Sequence, residues 1–354
     1  MNPSRLIEVD ILRVIAILAI VAGHIQFHTP GCENSSIVGM IELLFAVCGL
    51  SLFFFLSGYS LMIKKPEFSR FNELKSYSVR RVARIYPLYW LALLITLVIQ
   101  PDAYDELTTL QKVIDISGLQ ILFPDPIVWF VSAIVVFYIL FPLFILFARM
   151  INRPYRMSIF LAALTIFIIL ATARIASVSI DDRVFIYYWF FVSGVILGRE
   201  TSISSIRIST RMMAAVLAGI GCLAVYILAR NMMMVHLEPM WEPISSLPKY
   251  VAMSVVGVIG ILLAIQFTNS FKGCLTKSMY QLVERLAHST YSIYLFHSYF
   301  LSIAAIIATE LSPVLVPYSV IAVGIPLAIL IPPYIQDLME YTLSALAGVA
   351  RSKT

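Results

Sequence analysis

Long runs of apolar residues, separated by short polar segments, recur along the whole chain. A helix that crosses the hydrocarbon core of a bilayer needs about 20 mainly apolar residues. The runs that meet this requirement predict ten spanning helices, of which the fifth and sixth are short. Their ranges are 6–27, 37–63, 82–99, 127–148, 157–173, 184–199, 212–229, 250–268, 289–309 and 313–333. This pattern predicts an all-α fold, a polytopic bundle of about ten transmembrane helices.

The segments between the predicted helices are too short to hold a soluble domain, because the longest has about 25 residues. We therefore expect a single integral-membrane domain over residues 1–354. Composition agrees, since 60% of the residues are hydrophobic and 13% are charged, whereas soluble domains are about half apolar and a quarter charged. Asp10 and Arg13 interrupt the first apolar run, so we expect it to remain as a membrane helix rather than to be cleaved as a signal peptide.

The basic residues predict how the chain is oriented in the membrane. When ten helices alternate in direction, 20 Lys and Arg residues fall on one side and five on the other. The basic side holds the segments 64–84, 149–156, 199–211 and 269–288 together with both termini. The positive-inside rule makes that side cytoplasmic. The net charge of +5 thus reports orientation, and we expect the lipid bilayer, not nucleic acid, as a partner.

The cysteines are scattered over different segments and form no C-x-x-C pair. They are Cys32, Cys48, Cys222 and Cys274. This spacing indicates neither a disulfide framework nor a cysteine metal site. We therefore expect no bound metal, and we interpret the four cysteines as ordinary small apolar or loop residues.

Ionisable residues cluster on the first predicted helix, where the cost of placing them in a bilayer suggests a function. Asp10 and Arg13 are three residues apart and can pair on one face of the helix. Arg13 and His24 are eleven residues apart, which places them within ~20° of one face and ~16 Å apart along the axis. His28 follows on the same face. The pattern predicts an anion-binding group near the cytoplasmic end and a proton-handling group nearer the outer end.

Each of these residues also has a purely structural interpretation. Arg13 is well placed to extend its charge from the membrane interior to the interface, as long basic side chains do. His24 is equally consistent with a core imidazole that is hydrogen-bonded to a neighbour. Glu42, an acidic residue well inside the second predicted helix, either orients His24 or contacts water at the outer end of its helix.

Four motifs occur in a fixed order between residues 10 and 297. The stretch Asp10-Ile-Leu-Arg13, followed after ten residues by His24, opens the chain. The others are FFFLSGY at residues 53–59, RVARIYP at residues 81–87 and YSIYLFH at residues 291–297. In this order, and with ten predicted helices, they resemble the acyltransferase 3 family of membrane acyltransferases over nearly the whole chain.

A fifth segment resembles the family only in part. Trp129, Tyr138 and Pro142 match the spacing of a family stretch that carries two adjacent glutamates. Ile134 and Val135 stand at those glutamate positions, and the local sequence WFV is similar to a variant found in another branch of the family. A role for the two glutamates therefore does not carry over to this chain.

The resemblance implies a donor, an acceptor and a catalytic group. The family transfers acyl groups, commonly acetyl, from acyl-coenzyme A to hydroxyls of surface glycans and antibiotics. By position, His24 matches the essential histidine of the family and Arg13 its partner arginine, with Asp10 opening the same motif. His24 is then expected to act as general base on the acceptor hydroxyl, or alternatively to carry the acyl group itself. The expected location is the plasma membrane, as a multi-pass protein.

The resemblance also implies residues that hold the substrates. Arg81 and Arg84 match an R-x-x-R pair and are expected to bind the phosphates of coenzyme A, although the positive-inside rule alone also accounts for them. Aromatic and polar side chains are expected to line the substrate pocket, or alternatively to pack helices and anchor the interface. These residues are Glu42, Trp129, Tyr291, Tyr294 and His297.

Two other classes of protein share parts of this pattern. A transporter or flippase is also polytopic and carries buried charges along its pathway. The chain shows no matched pair of interrupted apolar segments, which would indicate inverted repeats. A non-catalytic scaffold would have no need of Arg13, His24 and the R-x-x-R pair. Acyl transfer is therefore the function that the sequence favours.

Overall fold

A computed structural model describes residues 6–29, 37–64, 68, 70–99, 107–119, 129–150, 183–200, 203 and 242–352. Every regular element in these ranges is helical. The helices are α1 Ile7–Gly23, α2 Ile37–Met62, α3 Phe71–Ile99, α4 Thr109–Ser117, α5 Trp129–Met150, α6 Arg183–Glu200, α7 Glu242–Phe271, α8 Lys277–His288, α9 Thr290–Leu311, α10 Val316–Ser319, α11 Ile325–Leu330 and α12 Pro332–Ser352. Short 3-10 turns cover Ile25–His28, Lys272–Cys274 and Pro313–Leu315.

The chain packs into two compact units. The first comprises Met1–Ser57 and Glu200–Ile335, and the second comprises Gly58–Arg199 and Gln336–Thr354. The first unit therefore contains α1, most of α2 and α7 to α11, whereas the second contains α3 to α6. The prediction of one integral-membrane domain over residues 1–354 stays a prediction.

The apolar helices confirm an all-α membrane protein. Within the described ranges, five segments are long and apolar enough to cross a bilayer. They are Leu44–Met62, Phe71–Ile99, Met253–Cys274, Thr290–Leu311 and Pro313–Ala345, and Trp129–Ile145 is a shorter apolar helix. The predicted spans 157–173 and 212–229 lie outside the described residues. The count of ten spans and the cytoplasmic position of both termini stay predictions.

Helix bounds differ from the predicted spans where polar residues continue a helix beyond its apolar part. α3 begins at Phe71, eleven residues before the predicted start, because the basic turn that precedes the apolar run is itself helical. The predicted span 313–333 lies within the apolar segment Pro313–Ala345. A π turn at Val320–Gly324 and a bend at Ile331 interrupt the regular α-helix there. The hydropathy pattern did not predict α4, α8 and α12, which are too polar or too short to register as spans.

Glycine allows α1 and α2 to approach each other closely. A Cβ atom on Gly49 of α2 would lie 2.7 Å from the carbonyl oxygen of Ala16 and 2.8 Å from the backbone nitrogen of Ile20. A Cβ atom on Gly23 would lie 2.5 Å from the backbone nitrogen of Ala46. Small residues are the usual device for close packing of membrane helices, because apolar burial drives little association within lipid. The C-terminal half of α1 is therefore fixed against α2.

Side chains of α3 cap the C-terminal end of α4. The last carbonyl groups of a helix have no partner within the helix itself. Here Tyr86, Tyr89 and Trp90 donate to the carbonyl oxygens of Ser117, Asp115 and Ile116, at 2.7, 2.5 and 3.0 Å respectively. Gly118 ends the helix with a φ of 70°, the left-handed conformation that favours glycine. The short helix α4 is thus docked on α3 with its Asp115 side chain buried.

We predict that Gly49→Ala destabilises the protein. The added methyl group must displace the backbone of α1, and overpacking of this kind costs about 1–3 kcal/mol. The thermal midpoint of the detergent-solubilised protein should fall. Gly273→Ala is the control, because nothing lies within 4 Å of a Cβ atom at that position. Equal midpoints for the two variants would contradict the close contact.

We also predict that Asp115→Asn stabilises the protein in a pH-dependent way. Burial raises the pKa of the Asp115 carboxyl from its ordinary value of 3.8 to about 6. The folded state therefore holds a proton that the unfolded state releases, so stability decreases as pH rises from about 4 to about 6. The variant should have a higher thermal midpoint than wild type at pH 7.5, and the difference should shrink towards pH 4. Asp337→Asn, at an exposed carboxyl, is the control.

Candidate active site

His24 lies directly after the last residue of α1, and its ring has one tautomer fixed by the backbone. Its Nδ1 atom is 2.7 Å from the carbonyl oxygen of Ile20. A carbonyl oxygen can only accept a hydrogen bond, so Nδ1 carries the proton of the neutral ring. The Nε2 atom then holds the lone pair and is the position at which this imidazole takes up a proton.

His297, on α9, lies against His24. The two ring centroids are 4.6 Å apart and the rings are nearly perpendicular, at 87°. The Nδ1 atom of His297 donates to the carbonyl oxygen of Tyr294 at 2.6 Å, so its Nε2 atom is also an acceptor. That Nε2 atom is buried and has no hydrogen-bond partner within the described part of the chain. A buried polar atom left without a partner is costly, so this acceptor is available to a water molecule or a ligand.

The first turns of α9 are buried on every side. All residues from 290 to 297 are less than one tenth exposed, including Tyr291 and Tyr294. The Tyr294 ring lies 5.7 Å from that of His297. The structure thus brings Tyr294 and His297 together with His24, and it places Tyr291 in the same buried segment.

Asp10 and Arg13 form the ion pair that their spacing predicts. The Arg13 Nη1 atom lies 3.4 Å from the Asp10 Oδ1 atom. The Asp10 side chain is buried, whereas the Arg13 side chain is 26% exposed. The helix stays regular from this pair to Gly23, so the helical geometry that places Arg13 and His24 on nearly the same face is retained. A second ion pair, at 2.9 Å between Lys272 Nζ and Glu8 Oε1, ties the start of α1 to the end of α7.

The contacts of His24 and His28 show that α1 and α9 run in the same direction. His24 contacts His297, and His28, four residues later, forms hydrogen bonds with Ser298 and Ser302. Residue numbers therefore increase in the same direction along both segments. If successive spans alternate in direction across the membrane, the first and ninth predicted spans must be parallel, as these two helices are. His297 is the eighth residue of α9, about 10 Å from the start of that helix. His24 therefore lies at the level of the first third of α9, although it lies at the far end of α1.

Arg81 is the more enclosed member of the R-x-x-R pair. Its guanidinium carbon lies 5.6 Å from the centre of the Tyr77 ring and 5.4 Å from that of Tyr138. The Tyr77 hydroxyl donates to the backbone carbonyl oxygen of Tyr138 at 3.0 Å, which fixes the Tyr77 ring. The Arg81 Nε atom is buried without a hydrogen-bond partner among the residues that the structure describes. Arg84, one helical turn later, is exposed.

Of the two remaining predicted pocket residues, Trp129 and Glu42, the structure describes the side chain of Trp129 only. Trp129 is the first residue of α5, and its ring stacks on that of Tyr187 with centroids 5.5 Å apart. Ile134 and Val135, at the family's glutamate positions, are buried in α5. The side chain of Glu42 lies outside the described residues, so its predicted role stays a prediction.

Sequence reasoning missed the groups that hold the site residues in place. For the first unit these are the serines at positions 298 and 302, and for the second unit the tyrosines at positions 77 and 138. Ser298 and Ser302 lie four residues apart in an apolar run, which is the one signal that marks a shared helix face. No feature of the sequence connects that face with His28. No group of three His, Cys, Asp or Glu side chains in the described ranges is arranged to hold a metal ion.

Comparison with known proteins identifies the family. The model of the acyltransferase 3 family, an acyltransferase domain, matches residues 6–332. Neither the curated proteins nor the solved structures give a match. The matched range contains the Asp10–Arg13 pair, the contact between His24 and His297, and the enclosed Arg81. Because the match covers nearly the whole of a chain rich in membrane-length helices, this protein belongs to the acyltransferase 3 family and is a membrane acyltransferase.

Proposed function

We propose that this protein transfers an acyl group, acetyl in the simplest case, from acyl-coenzyme A to a hydroxyl of a carbohydrate, with His24 as general base. The observation that carries the proposal is the hydrogen bond from His24 Nδ1 to the Ile20 carbonyl. It leaves Nε2 as the basic atom of a neutral, partly buried imidazole. We assign the activity to the plasma membrane, where a multi-pass protein meets both substrates.

The proposed reaction moves one proton and exchanges one bond. The acceptor hydroxyl gives its proton to His24 Nε2 while its oxygen attacks the thioester carbon. A carbon–oxygen bond forms, the carbon–sulfur bond breaks, and the proton passes from Nε2 to the leaving sulfur. The products are an ester of the carbohydrate and free coenzyme A, and the imidazole returns to its starting state.

The neighbours of His24 are assigned to substrate binding. His297 Nε2 is a buried acceptor without a partner in the described structure, and we assign it a hydrogen bond from a polar group of a substrate. The rings of Tyr291 and Tyr294 supply apolar walls with polar ends, which suits a sugar or an acyl chain. Arg13, held by Asp10, supplies positive charge on the face of α1 that leads to His24. Glu42 and Trp129 remain proposed pocket residues.

Arg81 and Arg84 are assigned to the phosphates of the donor. A guanidinium group offers several donors in one plane and matches phosphate oxygens well. The rings of Tyr77 and Tyr138 orient the Arg81 guanidinium before any ligand arrives. Its buried Nε atom is a donor that a phosphate oxygen can satisfy. Exposed Arg84 is placed for longer-range attraction of an anion.

We predict that His24→Ala lowers kcat about 100-fold or more, because general-base catalysis typically contributes at least that factor. The measurement is the release of the coenzyme A thiol by detergent-purified protein given acetyl-CoA and envelope glycan from the cells of origin. His288→Ala, an exposed histidine on α8, is the control. A folded His24→Ala protein with wild-type kcat would exclude the assigned base. A wild-type protein that releases no coenzyme A would favour the transporter.

A second prediction separates donor binding from membrane topology. Arg81→Ala should raise the KM for acetyl-CoA about tenfold with little change in kcat, because a charge-assisted hydrogen bond is lost. Arg81→Lys should restore only part of the affinity, since lysine keeps the charge but not the planar group between the tyrosine rings. Arg80→Ala removes an equal charge from an exposed neighbouring position and is the control. If Arg80→Ala and Arg81→Ala have the same donor KM, Arg81 serves topology alone.

A further inference from the structure

We infer that His28, held by Ser298 and Ser302, is a positioning residue that fixes His24 against α9 for acyl transfer. This inference rests on the proposed function, since it concerns the geometry of the proposed base. His28 does not act on the substrate here. It acts through His24, which precedes it by four residues.

Both nitrogens of the His28 ring are engaged by the same helix. Nε2 lies 3.1 Å from the hydroxyl oxygen of Ser298, and Nδ1 lies 3.2 Å from that of Ser302. The two serines are one helical turn apart, so the ring spans that turn on the surface of α9. A neutral imidazole has one donor and one acceptor nitrogen, and a hydroxyl can serve either. The arrangement therefore satisfies both ring nitrogens without a charge.

The position of this clamp along the chain connects it with the site. His28 ends the 3-10 turn Ile25–His28, and the backbone nitrogen of Phe27 in that turn donates to the His24 carbonyl oxygen at 3.3 Å. Ser298 directly follows His297, whose ring contacts that of His24. The clamp and the imidazole contact are thus adjacent in both segments. A shift of His28 along α9 must change the separation of the two imidazole rings.

A second contact, just before this turn, fixes the end of α1. Gly23, the residue before His24, lies so close to Ala46 of α2 that a Cβ atom would not fit. The backbone around His24 is therefore held by the contact with α2 before it and by the serine clamp on α9 after it. With one of these contacts released, the helix end can pivot about the other. A displacement of about 1 Å at a reacting group costs roughly 100-fold in rate.

A purely structural clamp would have different consequences from a positioning clamp. Loss of interhelical hydrogen bonds lowers stability in any membrane bundle. Loss of positioning lowers kcat at full folding and leaves the KM for acetyl-CoA largely unchanged, because the donor phosphates are assigned to other residues. The split between kcat and KM therefore distinguishes the two roles.

The test uses the full-length protein with acetyl-CoA and envelope glycan. The variants are His28→Phe, the double variant Ser298→Ala with Ser302→Ala, and the combination of all three. We expect each to lower kcat about tenfold or more with donor KM within about twofold, and the combination to be no worse than its parts, because one interaction is removed in each case. His28→Gln, which keeps a donor and an acceptor, should recover part of kcat. Thr309→Ala, which removes an exposed hydroxyl of α9, is the control.

The outcomes separate this inference from the proposed function. If His24→Ala is inactive while the clamp variants keep wild-type kcat, the clamp is structural and only the present inference is overturned. If His24→Ala keeps wild-type kcat, the proposed base fails and the inference fails with it. If His28→Phe does not fold, the single Ser302→Ala variant decides, since it removes one of the two bonds. If Ser302→Ala and His28→Gln both keep the wild-type kcat, the positioning role of His28 is excluded.

Discussion

The hydrogen bond from His24 to the Ile20 carbonyl is the interaction on which the proposed chemistry of this site depends. It uses a carbonyl near the end of α1, where the helix leaves acceptors without partners. It fixes the proton on Nδ1 and thereby makes Nε2 the basic atom. Because the helix ends at Gly23, the ring is presented by a helix terminus whose backbone supplies its orientation. The end of α1 therefore determines both the position of the His24 ring and which of its nitrogens is basic.

The packing around α1 explains why polar groups are tolerated there. Asp10 and Arg13 pair with each other, Glu8 pairs with Lys272, and the His24 and His297 rings donate hydrogen bonds to backbone carbonyls. Each charge or dipole that would be costly in lipid is thus largely balanced by a neighbour. Within the described residues of the first unit, His297 Nε2 is buried without a hydrogen-bond partner, as are the hydroxyls of Ser51, Thr268 and Ser289. Of these atoms, His297 Nε2 belongs to the ring that contacts the proposed base, so it is the one that we assign to a substrate.

Local features of the site were predictable from the sequence, and contacts between distant segments were not. The pairing of Asp10 with Arg13 follows from helical spacing, and the family motifs point to His24 and Arg81. The contact of His24 with His297 joins residues far apart in sequence, and it depends on how α1 meets α9. The tyrosines around Arg81 were likewise missed, because Tyr77 lies in a stretch that hydropathy assigns to a loop. Hydropathy detects the apolar core of a helix and ignores its polar turns, so it missed α4 and α8 for the same reason.

The level of the imidazole pair bears on the path of the substrates. The sequence placed His24 towards the outer end of the first span, because its position was counted along α1 alone. Counted along α9, the same ring lies about 10 Å from the start of a helix about 33 Å long. With α9 entering the membrane from the cytoplasm, as the distribution of basic residues predicts, the proposed base lies in the cytoplasmic third of that helix. If the proposed function is correct, both substrates have to reach the imidazole pair at this level of α9.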